Sequence, residues 1–283
     1  MPSLVGEIII GFLLGPPLAN FVPYPEAFVL FGDIGLILLM VEAGIDIDIA
    51  QLKVTGTRSV AIAFTGAFAS LLLGTGLAFA TKAVTTEGAI ALGAVFAPTS
   101  LGVASNALSA GNVLNTPVGQ LIVAACVIDD VIGLIILSMI EVLVDEAAGV
   151  KDYFVPLISA VGYLIVLGYI AIAWMPTIVE KWILPKFPEF LRESVAFLLL
   201  ILLIMGYMPL LHFCKASYLT GAFLAGLSFN QIRSIHNSFI NRTKNTMAWL
   251  LRIFFAASIG FQVSHDVFCL IPLINLSTFS SIR

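Results

Sequence analysis

Apolar residues fall in long blocks along this chain, separated by short polar connections. A helix needs roughly 20 apolar residues to cross a bilayer, and on that measure the blocks predict about nine membrane segments. They cover approximately residues 4–18, 27–43, 59–80, 88–108, 118–143, 154–179, 194–213, 217–229 and 247–263, and a tenth apolar run begins near Val267. The first and eighth blocks are short. The fourth contains Ala97-Pro98-Thr99-Ser100, where proline removes a backbone donor and clashes with the preceding turn. Lipid cannot satisfy the amides and carbonyls that such a break releases, so a broken helix is tolerated where it lines a cavity or faces an ion. A plain proline kink is the alternative reading.

The fifth block carries the strongest departure from the apolar pattern. Asp129 and Asp130 sit in its middle, and no charged residue occurs between Glu87 and Asp129 or between Asp130 and Glu141. One charge at the centre of a membrane helix costs about 2.5–3.5 kcal/mol on insertion scales, and such residues mark ion or proton paths. The connection from the fourth block, residues 109–117, is short and uncharged, which makes the broken segment and the aspartate helix antiparallel neighbours. In the eighth block Gly221 with Ala225, and Ala222 with Gly226, are small residues at a spacing that permits close helix packing.

Composition places the whole chain in the same class. Of 283 residues, 60% are hydrophobic and 11% charged, with mean hydropathy +1.07, whereas a soluble domain carries about 25% charged residues. The expectation is an all-α polytopic membrane protein with no stretch polar enough for a separate soluble domain. The net charge of −4 says little, because orientation follows the placement of Lys and Arg. Lys53, Arg58, Lys181, Lys186, Arg192, Arg233, Arg242 and Lys244 fall on one side of the predicted membrane, against Lys82, Lys151 and Lys215 on the other. The richer side is predicted cytoplasmic, and the N-terminus of this chain with it. Cys126, Cys214 and Cys269 are widely spaced and make neither a metal spacing nor a disulfide framework. No stretch suggests an organic cofactor or nucleic acid.

Several strings occur in a telling order: Gly6-Glu7-Ile8 with Gly15-Pro16, Glu42-Ala43-Gly44-Ile45-Asp46, Ala97-Pro98-Thr99-Ser100, Gly119-Gln120-Leu121-Ile122 leading to Asp129-Asp130-Val131-Ile132-Gly133, Gly221 to Gly226, and Phe254-Phe255 with Ile259-Gly260. In this order the chain resembles the monovalent cation:proton antiporter superfamily, in the second cation:proton antiporter family with its sodium/hydrogen exchanger domain. For the nine to ten transmembrane helices counted from the apolar runs, the resemblance implies a sodium/proton-antiporter-like fold, with a dimerisation part, a core of inverted repeats in which two broken helices cross near the aspartates, and a homodimer in the bilayer. It also implies a role for each site residue. Asp130 is the carboxylate that takes cation and proton in turn, and Asp129 the neighbour that pairs with a basic residue on a later helix. Thr99 and Ser100 lie where the broken helix, interrupted at Pro98, passes the site. Potassium-efflux members carry Gln before a single Asp, so Asp-Asp looks more like the sodium/proton type.

The resemblance puts the basic partner and a second broken helix beyond the Phe-Phe…Gly helix, near or past Arg283. The chain is therefore expected to be a partial exchanger domain over residues 1–283, short of a helix at its start and of most of the second repeat. Arg252 is the candidate stand-in for the basic partner, or else it snorkels from a helix end.

The chemistry expected of these residues is antiport of Na+ or K+ against H+ and no enzymatic reaction. Burial and a like-charged neighbour both disfavour a second negative charge, so protons and a metal cation compete for the pair. Asp130, Asp129, Thr99 and Ser100 offer oxygen ligands only, which suits a hard monovalent cation. Two rival readings of the residues remain. An intramembrane aspartyl protease also uses two aspartates, but on different helices with Gly-x-Gly-Asp and Pro-Ala-Leu; here Leu30 precedes Phe31-Gly32-Asp33 and no Pro-Ala-Leu occurs. The other rival is a non-transporting fragment that packs or dimerises.

Overall fold

Apolar stretches in lipid must satisfy their backbone groups internally, and a helix does so within one segment. The computed structural model describes residues 3–262 apart from positions 17, 48, 82–84, 100, 144–149, 214–215, 233–238, 240–242, 244 and 248, and it is all-helical among them. In chain order the helices are α1 (Ser3–Leu14), α2 (Pro25–Asp46), α3 (Ile49–Thr81), α4 (Thr86–Val95), α5 (Leu101–Ala110), α6 (Pro117–Leu143), α7 (Val150–Ala173), α8 (Met175–Ile178), α9 (Glu189–Phe213), α10 (Tyr218–Leu227) and α11 (Ala256–Gln262). A π-helical turn, Val179–Ile183, and a 3₁₀ turn, Leu184–Lys186, extend α8, and a second π-helical turn, Leu250–Phe255, leads into α11.

Five described segments are long and apolar enough to cross a membrane: Pro25–Asp46, Val54–Thr81, Pro117–Ile140, Val161–Lys186 and Phe190–Phe213. Val5–Leu14, Tyr218–Leu227 and Ile253–Gln262 are shorter apolar helices. The predicted fourth segment is divided, because the chain leaves the helix at Phe96 and resumes it at Leu101. The sixth runs on past its expected end through Lys186. The run predicted from Val267 lies outside the described residues. Large apolar side chains such as Leu73 (75% exposed) and Phe64 (63% exposed) point outward from α3, a surface that suits lipid and not water.

The chain forms two compact units, the described residues within Met1–Glu42 and Ser234–Arg283, and those within Ala43–Arg233. In the first, α1 packs on α11 through residues without side chains at the crossing. A Cβ on Gly11 would strike the backbone of Ala257, and one on Gly260 would strike Phe12 N and Ile8 O. Phe28 and Phe31 of α2 pack against Phe254 at ring-centroid distances of 5.4 and 5.2 Å. In the second unit α6 contacts α3, α4, α5 and α7, while α10 packs on α7 and α9. The α3 chain turns at Gly56 (φ 54°, ψ −138°), a conformation that glycine adopts without a steric penalty. Asn230 closes the C-terminal end of α2: its Nδ2 donates to Ile45 O at 2.8 Å and also to Ile47 O.

Candidate functional site

The start of the aspartate helix is fixed by its own sequence. Thr116 precedes α6 and its Oγ1 accepts the Gly119 N–H at 3.1 Å, satisfying one of the amides that a helix start leaves unpaired. Pro117 takes the first helical position, where a missing N–H costs nothing. Gly119 lets this turn lie against the preceding connection, since a Cβ there would meet Val113 O and Leu114 O. Asp129 and Asp130 follow in the fourth turn.

The broken segment is built just as locally. Thr85 caps α4, accepting the Gly88 N–H at 3.3 Å. Gly93 sits against α3, where a Cβ would strike Leu71 O and Thr75. The last turn tightens, with Phe96 N–H on Gly93 O and Ala97 N–H on Ala94 O, both at 3.2 Å. Pro98 then has no N–H to continue the ladder, and it biases Ala97 away from the helical conformation.

The next amide crosses to the aspartate helix. Thr99 N–H donates to Asp129 Oδ2 at 2.6 Å. Asp129 is 5% exposed, and its Oδ1 is buried with no hydrogen-bond partner among the described residues. One turn further along α6, a Cβ on Gly133 would lie 3.3 Å from Pro98 Cγ. Asp129 and Gly133 thus form one face of α6, laid against the break. Asp130 is half-buried, whereas Pro98 and Thr99 are exposed. Consecutive helical residues diverge by about 100°, so Asp130 projects to the side of the Asp129 contact.

Of the residues singled out in the sequence, Pro98, Thr99 and Asp129 are therefore brought together, and Asp130 adjoins them through the chain. The contact uses the Thr99 backbone and Asp129, the residue expected to pair with a later basic group. Ser100 lies outside the described residues. Arg252 belongs to the π-helical turn of the other unit, and its side chain is outside the described part. Cys126, one turn before the pair, is a buried free thiol. Glu7 on α1 has a buried Oε2 with no hydrogen bond among the described residues. Ser138, farther along α6, was not distinguished by the sequence, because a serine in an apolar helix carries no local mark of a long-range partner.

The chain matches the family model described as sodium/hydrogen exchanger, transmembrane, over residues 1–281. It is 26% identical over 272 residues to a Na(+)/H(+) antiporter of Enterococcus hirae, covering 95% of this chain and 68% of the relative. It is 27% identical over 266 residues to the probable Na(+)/H(+) antiporter GerT of Bacillus cereus, covering 93% and 68%. To the Na(+)/H(+)-K(+) antiporter GerN of Bacillus cereus it is 25% identical over 272 residues, covering 94% and 66%. The chain thus spans about two thirds of the length of these relatives.

Proposed function

The chain belongs to the sodium/hydrogen exchanger transmembrane family, a family of transporters and not of enzymes, and on that premise we propose that it exchanges a monovalent cation, Na+ or K+, for protons at Asp129 and Asp130. The observation that carries this reading is the short bond from the Thr99 amide to the buried Asp129 carboxylate. It ties an interrupted helix to an intramembrane acid pair, the combination of half-helix ends and carboxylates that suits an ion site near mid-membrane.

The two acids have different work. Asp129 accepts the Thr99 N–H and holds the break against α6, where Gly133 makes room for Pro98. Asp130 keeps its oxygens for the transported ion. When a cation occupies the site, its charge offsets the two carboxylates; when it leaves, a proton removes one negative charge instead. Neither ion can bind without weakening the other, because two charges this close in a low-dielectric site cannot both persist unpaired. Alternate opening of such a site to the two sides of the membrane is sufficient for antiport. The Thr99 hydroxyl and the Ser100 hydroxyl supply further oxygen ligands.

The relatives named as Na(+)/H(+) antiporters, and the one named for both Na(+) and K(+), support a monovalent cation without separating the two. The protein is an integral membrane protein of several spans; the basic loops favour a cytoplasmic N-terminus for this chain. A homodimer is part of the proposal, and crosslinking in native membranes tests it.

The function itself is tested in proteoliposomes holding the full-length protein, with an acidic lumen and a pH-sensitive dye. Adding Na+ or K+ outside should dissipate the gradient, and Asp130→Asn should abolish the response. An Asp130→Asn protein that exchanges at the normal rate removes Asp130 from this role.

A further inference from the structure

The aspartate helix makes a second long-range hydrogen bond, on the face opposite to the first. Ser138 is 1% exposed and Ser217 is fully buried. The Ser138 hydroxyl donates to Leu134 O at 3.0 Å and accepts the Ser217 N–H, also at 3.0 Å. Its hydrogen is committed to the preceding turn of α6, which leaves the oxygen's lone pairs to accept the Ser217 amide.

Ser217 heads α10, and α10 is a firm anchor. Its residues Leu219 to Leu227 are all buried, and a Cβ on Gly221 would lie 2.9 Å from the Tyr207 carbonyl and Met208 N of α9. The Thr220 N–H returns to Ser217 O at 3.1 Å, so the first turn is closed as well. Ser138 is therefore docked on a body that cannot yield by a side-chain rotation.

Helix geometry relates the two bonds. Ser138 lies nine positions after Asp129, which is about 180° round the helix and roughly 13 Å along it. Thr99 thus holds α6 from one face and Ser217 from the opposite face. Asp130 occupies the flank between them, about 100° from Asp129. Turning α6 about its axis to redirect Asp130 would require giving up one of the two bonds.

We propose that Ser138 is a positioning residue for ion exchange: by docking α6 on the head of α10 it fixes the direction in which Asp130 meets the cation. This rests on the antiport reading for its transport consequence but not for its geometry. Ser138→Ala removes the side-chain oxygen that accepts the Ser217 N–H, and with it one of the two bonds that resist turning of α6. Ser138→Thr keeps a hydroxyl at the same place, and Ser138→Cys keeps a weaker acceptor.

The test compares these three variants with the parent protein in proteoliposomes at matched protein amounts. Ser138→Ala should raise the half-saturating Na+ concentration by up to about fivefold, the factor that one hydrogen bond of this kind is worth. Ser138→Thr should stay near the parent value, and Ser138→Cys should fall between, which also carries the test if the alanine variant does not accumulate. An unchanged half-saturating concentration in both the alanine and cysteine variants, with only the yield reduced, overturns the proposal and leaves Ser138 a purely structural contact. If the parent protein moves no ions, the antiport reading fails on its own. The positioning claim is then decided by the rate at which a hydrophobic carbodiimide modifies Asp130: a rate altered in Ser138→Ala and restored in Ser138→Thr upholds it, and equal rates overturn it.

Discussion

Replacing Asp129 by alanine and by asparagine separates the hydrogen bond to the break from the charge that makes it. The bond from Thr99 N–H is 2.6 Å long and ends on a carboxylate oxygen, and hydrogen bonds to charged groups contribute about 1.5–3 kcal/mol. Taking the lower end of that range, the cost of Asp129→Ala is about 1.5 kcal/mol. Asparagine keeps an acceptor oxygen of neutral strength, roughly half as strong. Both variants also remove a buried charge, and that gain is common to them. Their difference therefore isolates the bond at about 0.75 kcal/mol, or roughly three- to fourfold in a folding equilibrium. Two readings check it: the midpoint of thermal denaturation in one detergent, and hydrogen exchange at the Thr99 amide by mass spectrometry. The asparagine variant should melt higher and protect that amide about three- to fourfold better than the alanine variant. Equal midpoints and equal protection would refute the claim that Asp129 holds the break to α6.

Other positions give sharper contrasts of shape and polarity. Gly93→Ala should strongly lower folded yield, since its Cβ would strike Leu71 O and the Thr75 backbone, whereas Gly66→Ala, with nothing within 4 Å, should leave yield unchanged; both are read by size-exclusion chromatography of membrane extracts. Thr220→Val removes a buried hydroxyl that has no hydrogen bond among the described residues, so it should raise the melting midpoint slightly, in keeping with about 1 kcal/mol or more for an unsatisfied buried group. Asn230→Leu uncovers the carbonyls of Ile45 and Ile47 and should cost about 1–3 kcal/mol, seen as a lower melting midpoint.

The parts of this molecule that follow from local chemistry were legible in the sequence. Isolation of Asp129 and Asp130 in an apolar run marked them as candidates, and Pro98 marked the break, because a missing amide and an uncompensated charge are costly wherever they fall. Thr116 and Pro117 fix the start of α6 by equally local chemistry. What the sequence left open depends on packing between helices. It did not distinguish the Thr99 backbone from its hydroxyl as the contact to α6, nor Asp129 from Asp130 as the recipient. Ser138 was silent for the same reason: its partner is the Ser217 amide, 79 positions away, and only the packing of α10 brings it there. The split of the fourth segment into α4 and α5 was anticipated at Pro98, but its width, from Phe96 to Leu101, was not.

The competition of H+ and metal ion for one acid pair is tested most directly by the half-saturating Na+ or K+ concentration of exchange, measured in proteoliposomes across a series of pH values. Lower pH fills the carboxylates with protons, so the half-saturating concentration should rise as pH falls, by up to about tenfold per pH unit for one-for-one competition, while the maximal rate at saturating cation is retained. A half-saturating concentration that stays constant while the maximal rate alone falls with pH would contradict a shared site.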